Sequence, residues 1–200
     1  HQFNHGAQFI TAVSTEFSAL CQQAVASGAL AEWDIGRRLT SYAGQPAMRS
    51  LPRWMAEPLD VRQQVEIAHI TKQDNHQLQL TSTQQEHFVA DRLIITAPAP
   101  QTTRLLAEVT PALSAAAATA RYAPCWTVMA GFEAPLSGIP AFGTDISDII
   151  SWYTSERARP SADQGTRSLT IQASGAWSEA HLEEEADAIA DRIFNDFKQI

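Results

Sequence analysis

The chain is short of cysteine, of clustered positive charge and of long apolar runs. Its two cysteines are too few for a disulfide framework, which favours a reducing cytoplasm. Acidic residues outnumber lysine and arginine by 22 to 14, and the basic residues form no stripe that could neutralise phosphates. No apolar run approaches the roughly 20 residues that span a bilayer. These shortages predict a cytoplasmic protein that binds neither nucleic acid nor a membrane.

The motifs of several catalytic and cofactor sites are missing as well. None of the nine glycines lie two positions apart, so the sequence contains no Gly-x-Gly dinucleotide fingerprint. A Gly-x-Ser-x-Gly nucleophile elbow does not occur either. The six histidines lack the spacing of metal ligands, and Cys125 begins an apolar strand, where we expect a buried, unreactive thiol. The sequence therefore predicts no metal site and identifies no catalytic residue.

The apolar patterns predict an α+β or mixed α/β fold. Helices and short strands come first, then a three-stranded meander, further helices and a second group of strands, whereas a doubly wound chain would alternate more regularly. The expected helices cover residues 15–27 (capped by Ser14), 46–55, 101–107 and 111–120, with one long final helix after the cap Ser178. The expected strands cover residues 7–11, 30–33, 39–42, 61–71, 76–81, 88–97, 125–133, 149–156 and 168–174.

The end of the meander is the most informative stretch. Leu93, Ile94 and Ile95 are consecutive apolar residues, which predicts a strand covered on both faces. Pro98 has no backbone N–H, so the strand has to end by Ala97. A buried strand that stops at small residues is typical of the place where α/β proteins bring backbone close to a ligand.

Five tryptophans stand out among the large side chains. Trp126 and Trp152 each lie on an expected strand. Large aromatic residues are usually part of the core, but their flat faces can also line a pocket for a planar ligand. The sequence alone leaves both interpretations open.

Five short segments carry a family pattern. They are residues 5–11 (His-Gly-Ala-Gln-Phe-Ile-Thr), 44–48 (Gly-Gln-Pro-Ala-Met), 97–101 (Ala-Pro-Ala-Pro-Gln), 121–126 (Arg-Tyr-Ala-Pro-Cys-Trp) and 176–178 (Ala-Trp-Ser). In order and spacing they resemble the renalase-like, flavin-containing amine oxidase group of FAD-dependent oxidoreductases. The resemblance implies a p-hydroxybenzoate-hydroxylase-like architecture, in which an FAD domain and a substrate domain are built from alternating segments of the chain.

That architecture implies a division of the chain into three segments. Residues 1–43 and 108–200 would belong to the substrate domain, and residues 44–107 would belong to the FAD domain with its meander. Relatives carry a dinucleotide motif before the first segment and a second FAD motif near their C-terminus. Neither motif is present in this sequence, so we expect it to be part of a longer protein.

The resemblance also assigns roles to individual residues. Those implied to bind FAD are Gly6, Ala7 and Gln8 beside the isoalloxazine ring, Gly44 and Met48 on a neighbouring segment, Val65 at the adenine through its backbone, and Ala97 and Pro98 at the end of the meander. Those implied to line the substrate pocket are Phe9, Trp126 and Trp152.

The implied reaction is hydride transfer to FAD from a small amine or a reduced nicotinamide-like substrate. Such chemistry is carried by the cofactor and needs no dedicated nucleophile, which agrees with the missing motifs. Two departures favour an alternative, a non-catalytic binding or scaffold module that keeps the fold without the cofactor. Ala47 stands where relatives usually have glycine, and the stretch between Trp33 and Ser41 is shorter than in relatives.

Overall fold

The computed structural model describes residues 3–4, 6–134, 136, 138–160, 162 and 167–200. Its contacts divide the chain into two units. The first unit contains residues 1–59 and 123–200, and the second unit contains residues 60–122. The described residues form six α-helices and three small antiparallel sheets, which confirms the mixed α+β class.

The first sheet of the first unit has the strand order β1-β3-β2 and packs beneath helix α1. Its elements are β1 (Ile10–Thr11), α1 (Thr15–Ala26), β2 (Leu30–Glu32), β3 (Ser41–Gly44) and α2 (Ser50–Ala56). The predicted cap of α1 is confirmed, because the Ser14 side-chain oxygen accepts a hydrogen bond from the Phe17 N–H at 3.1 Å. Cys21 and Ala24 are completely buried on the inner face of this helix.

The second sheet of the first unit has four antiparallel strands in the order β7-β10-β9-β8. Its elements are β7 (Thr127–Gly131), β8 (Phe142–Thr144), β9 (Ile150–Ser155), a 3₁₀ helix (Glu156–Ala158), β10 (Ser168–Ala173), α5 (Gly175–Ala180) and α6 (Ala186–Phe197). One face of the sheet packs against the apolar stripe of α6, where Ile189 and Ile193 contact a cluster that includes Tyr153 and Ile171. We call this the helix-covered core.

A β-bulge decides which face of this sheet each residue of β9 occupies. Ile150 pairs with Ala173 and Trp152 pairs with Gln172, so Ser151 is an extra residue between two adjacent partners. Because of this extra residue, Ile150 and Tyr153 both belong to the helix-covered core, while Trp152 belongs to the opposite face.

The second unit is a meander followed by two helices. Its elements are β4 (Ile67–Lys72), β5 (Leu78–Ser82), β6 (His87–Ala90), α3 (Ala99–Leu106) and α4 (Pro111–Ala118), with the strand order β4-β5-β6. Both hairpin loops have three residues and end in a residue with positive φ, His76 at 68° and Gln85 at 65°. This is the three-residue loop in which a turn is followed by a left-handed residue.

The prediction of a covered strand at residues 93–95 is wrong. The last meander strand ends at Ala90, and Ile94 is 89% exposed. A run of three apolar residues indicates side chains that are favoured away from water, but it does not show that the same chain shields them.

Three other predictions also require correction. The single final helix is two helices, because Ser174 caps α5 and the acidic residues 183–185 lie between α5 and α6. Ser178 is instead completely buried, and its hydroxyl accepts a hydrogen bond from the Trp126 N–H at 3.0 Å. Cys125 is exposed rather than buried, since its strand begins only at Thr127. Strand β8 is absent from the expected strands, because its three residues are too few to show alternation.

Candidate functional site

In the segment of residues 6–8, Gly6 and Ala7 form an open strip at the surface, and Gln8 is a buried anchor behind it. Gly6 and Ala7 are exposed, whereas Gln8 is only 7% exposed. The Gln8 amide nitrogen donates hydrogen bonds back to the carbonyl oxygens of Asn4 and, at 3.0 Å, of Gly6. A Cβ added to Gly6 would meet no atom within 4 Å. The chain therefore presents a small, open surface that is held from behind by a buried side chain.

The buried anchor contacts a buried arginine. Arg159 is 4% exposed, and its guanidinium donates to both oxygens of Gln8, to the backbone carbonyl at 2.6 Å and to the side-chain oxygen. Its third described bond runs from Nε to Glu156 Oε2 at 2.6 Å. Burial lowers the pKa of the Arg159 guanidinium, and the charge and hydrogen bond of Glu156 act in the opposite direction.

Glu156 completes this polar cluster from the other side. Its carboxylate accepts hydrogen bonds from the Asn4 N–H at 3.2 Å, from the Asn4 side-chain amide at 2.9 Å and from the Thr170 hydroxyl at 2.8 Å. With the bond from Arg159, four donors surround a carboxylate that is 4% exposed. A buried charge is tolerated when it is paired and hydrogen-bonded in this way.

Asn4 also connects the two segments that were predicted to flank the isoalloxazine ring. Its side-chain oxygen accepts a hydrogen bond from the Met48 N–H at 3.1 Å. The Gly44 N–H in turn donates to the Met48 sulfur at 3.3 Å. Gly44 itself has no room for a side chain, because a Cβ would lie 2.1 Å from the Ala47 carbonyl oxygen. The structure thus brings residues 6–8 and 44–48 together.

An aromatic cluster lies next to these segments. The rings of Phe9 and Trp152 are 5.6 Å apart, and Phe142 stacks on Trp152 at 5.6 Å with an interplanar angle of 16°. Trp33 meets the edge of Phe142 at 6.1 Å. The indole N–H of Trp152 is buried and has no hydrogen-bond partner among the described residues. A buried donor without a partner is uncommon in a plain core and more usual in a binding site.

Trp126 lies apart from this cluster. It packs against the helix-covered core, and its indole N–H donates to the His181 carbonyl oxygen at 3.2 Å. Of the three residues predicted to line the substrate pocket, the structure therefore brings together Phe9 and Trp152 but not Trp126.

Positive charge borders the aromatic cluster on the loop between β2 and β3. The guanidinium of Arg37 lies 4.6 Å from the centre of the Phe9 ring. The same loop lines a half-open pocket of about 400 Å³ whose polar lining includes Arg37, Arg38 and Asp34.

The other three predicted cofactor contacts belong to the second unit. This unit contains a mainly apolar cleft of about 550 Å³ between β4, the extended residues 93–97 and α3. Ala97 lines the cleft, as does Glu66, the neighbour of Val65, while Pro98 is the N-cap residue of α3. Leu93, Ile94 and Ile95 also line it, so the apolar run faces an open cleft.

A family comparison gives the chemical context for these features. Residues 6–200 match the family model of flavin containing amine oxidoreductases. The chain belongs to this family. Flavin is accordingly the cofactor, and the predicted FAD requirement is confirmed at the level of the family.

The residues around the open strip fit the flavin of an amine oxidoreductase. A planar ring system needs a surface without protruding side chains, and the open space beside Gly6 and the methyl group of Ala7 provide one. Buried polar groups hold the strip from behind, which fixes its shape.

Sequence reasoning missed Asn4, Glu156 and Arg159. The opposite charges of Glu156 and Arg159, three positions apart, are the one local signal that could have suggested an ion pair. Gln8, which Arg159 binds, lies 151 positions away, and no sequence pattern connects the two. In the part of the chain that the structure describes, no group of three or more His, Cys, Asp or Glu residues could hold a metal ion. Of the described helices, none combines the length and apolar character needed to cross a membrane.

Proposed function

We propose that this chain forms the substrate-facing part of a renalase-like, FAD-dependent oxidoreductase. Its substrate is a small amine or a reduced nicotinamide-like compound that gives up a hydride. The complete enzyme has a p-hydroxybenzoate-hydroxylase-like architecture, with residues 1–43 and 108–200 in the substrate domain and residues 44–107 in the FAD domain.

One observation carries this proposal. Asn4 links the segments 6–8 and 44–48, because its side-chain oxygen accepts a hydrogen bond from the Met48 N–H and its carbonyl oxygen accepts one from the Gln8 side chain. Phe9 and Met48 both pack against the cluster around Trp33. Two segments far apart in sequence therefore combine a small open strip with an aromatic surface. This combination suits a flat cofactor on one side and an apolar substrate on the other.

When bound, FAD would supply the hydride acceptor for the reaction. The residues of this chain hold the reactants and exclude water. In the proposal Gly6, Ala7 and Gln8, together with Gly44 and Met48, hold the ring system. The neighbouring rings of Phe9 and Trp152 exclude water from the substrate side.

The second unit contributes the remaining cofactor contacts in this proposal. Val65 holds the adenine through its backbone, and Ala97 and Pro98 approach the cofactor at the end of the meander. The apolar residues 93–95 support this assignment, because they line an open cleft and Ile94 is 89% exposed.

The test is an absorbance spectrum of the full-length protein. We expect a yellow protein with the visible bands of an oxidised flavin, and anaerobic addition of substrate should bleach them. A panel of small amines and reduced pyridine nucleotides then identifies the reductant. A colourless protein that cannot be reconstituted with FAD would support the non-catalytic module instead.

A further inference from the structure

The ion pair of Glu156 and Arg159 has no part in the proposed reaction, and yet it is buried. Both side chains are 4% exposed and follow directly after strand β9. A buried ion pair contributes little net stability, since apolar residues of similar size often serve as well. The ion pair instead orients its neighbours, because a guanidinium and a carboxylate fix the positions of the groups that they bind.

The bonds of this pair converge on one short segment. Arg159 binds both oxygens of Gln8, and Glu156 binds the backbone N–H and the side chain of Asn4. The guanidinium also lies over the Trp33 ring, 5.0 Å from its centre. The segment is thus held at both ends, and the exposed Gly6 and Ala7 lie between the two holding points.

We propose that Glu156 and Arg159 form a positioning pair that holds Asn4 and Gln8 so that Gly6 and Ala7 face the flavin. This inference rests on the proposed function. Neither charged side chain touches the cofactor, and both act through Gln8 and Asn4. The rigid fork of arginine is essential, because it binds the two Gln8 oxygens at once while its Nε–H binds Glu156.

The decisive variant is Arg159→Lys in the full-length protein. Lysine keeps the charge but cannot reproduce the fork, so we expect the ion pair to persist while the hold on Gln8 weakens. The peptide that contains residues 4–10 should exchange its amide hydrogens at least about threefold faster. The dissociation constant of FAD should rise about tenfold, and the visible circular dichroism of the bound flavin should change.

The matched control is Ile193→Val, which trims a completely buried side chain in the helix-covered core. It should lower stability slightly without changing exchange in residues 4–10 or the flavin spectrum. If Arg159→Lys does not fold, Gln8→Met removes the Gln8 side-chain acceptor and both of its donated bonds, and it should give the same changes.

The possible outcomes separate this inference from the proposed function. Exchange in Arg159→Lys that equals the control overturns the positioning role, whether or not FAD binds. Faster exchange with unchanged FAD affinity and an unchanged flavin spectrum overturns it too, because the shape of the segment would then not matter to the cofactor. A wild-type protein that binds no FAD overturns the proposed function, and the exchange comparison still decides whether the pair holds the segment.

Discussion

At the scale of single residues, Gly44 has no room for a side chain. An added Cβ would lie 2.1 Å from the Ala47 carbonyl oxygen and 2.6 Å from the Met48 Cα, and these are backbone atoms that cannot move aside like a flexible side chain. The glycine is needed because two parts of the backbone approach each other closely, and φ at this position is not positive.

We therefore expect Gly44→Ala to lower the free energy of unfolding by about 2–3 kcal/mol, as overpacking does in well-packed regions. Chemical denaturation measures the loss. Gly6→Ala is the control, because its methyl group meets nothing within 4 Å, and its stability should stay within about 0.5 kcal/mol of wild type. The same methyl group should weaken FAD binding. A Gly44→Ala variant as stable as wild type would contradict the close backbone contact.

Glu184 is hydrogen-bonded to two basic side chains, which makes its protonation a second test at the scale of residues. Its carboxylate lies 2.6 Å from the His181 Nδ1 and accepts a bond from Arg192. The hydrogen bond with His181 is the main reason why the Glu184 pKa lies below its ordinary value of 4.5; burial opposes this lowering, and the charge and hydrogen bond of Arg192 add to it. A depressed carboxylate pKa means that the unfolded state binds more protons, so this group stabilises the fold above pH 4.5.

We expect the stability difference between wild type and Glu184→Gln to shrink as the pH falls from about 5 to about 3, as Glu184 becomes protonated. Urea denaturation at several pH values in this range measures the trend. A stability difference for Glu184→Gln that stays flat across this pH range would rule out the proposed linkage.

At the scale of elements, each of the two hairpin loops of the second unit contains a non-glycine residue in the left-handed conformation. Gln85 adopts a φ of 65° at the end of its loop, a region that costs a non-glycine residue about 1–2 kcal/mol. We expect Gln85→Gly to raise the free energy of unfolding by about 0.5 kcal/mol, since relief of strain outweighs the extra freedom of the unfolded chain. Thermal unfolding measures the gain.

The neighbouring residue provides the control for this prediction. Gln84 lies in the same loop without a positive φ, so Gln84→Gly should lose about 0.5–1 kcal/mol. If both variants lose stability equally, the left-handed conformation of Gln85 does not occur in solution.

The elements also show what the sequence could and could not reveal. Helix α1 was predictable because its cap Ser14 and its buried Cys21 follow local rules. The prediction that Ser178 caps the final helix was wrong, because serine caps helices but also accepts hydrogen bonds from buried N–H groups. Only the contact with the distant Trp126 distinguishes the two roles. In the candidate site, Phe9 and Trp152 could be nominated as aromatic residues, whereas the bond between Gln8 and Arg159 depends on tertiary folding alone.

At the scale of the whole molecule, the two units differ in how much core they contain. Ile70 is the one buried apolar side chain of the second unit, whereas the first unit contains two larger apolar clusters. All five tryptophans belong to the first unit, at positions 33, 54, 126, 152 and 177. Tryptophan fluorescence therefore reports on the first unit, and far-ultraviolet circular dichroism reports on both.

We expect the two probes to give different urea transitions, with part of the dichroism signal lost before the fluorescence changes. The reason is that a unit with little buried apolar surface unfolds at lower denaturant concentration. Phe88→Trp places a fluorescent probe in the second unit and should report the earlier transition. Superimposable curves for all probes would instead indicate one cooperative molecule.

The extra residue at Ser151 offers a place where strand β9 can lose one residue without changing its faces. Deleting Ser151 would leave Ile150 opposite Ala173 and Trp152 opposite Gln172, and as adjacent residues of a regular strand they would still occupy opposite faces. Deleting Thr154 instead would shift the side chains on one side of the cut to the other face, and either the stacked rings or the apolar packing under α6 would be lost. The strand should therefore tolerate the loss of Ser151 far better than the loss of Thr154.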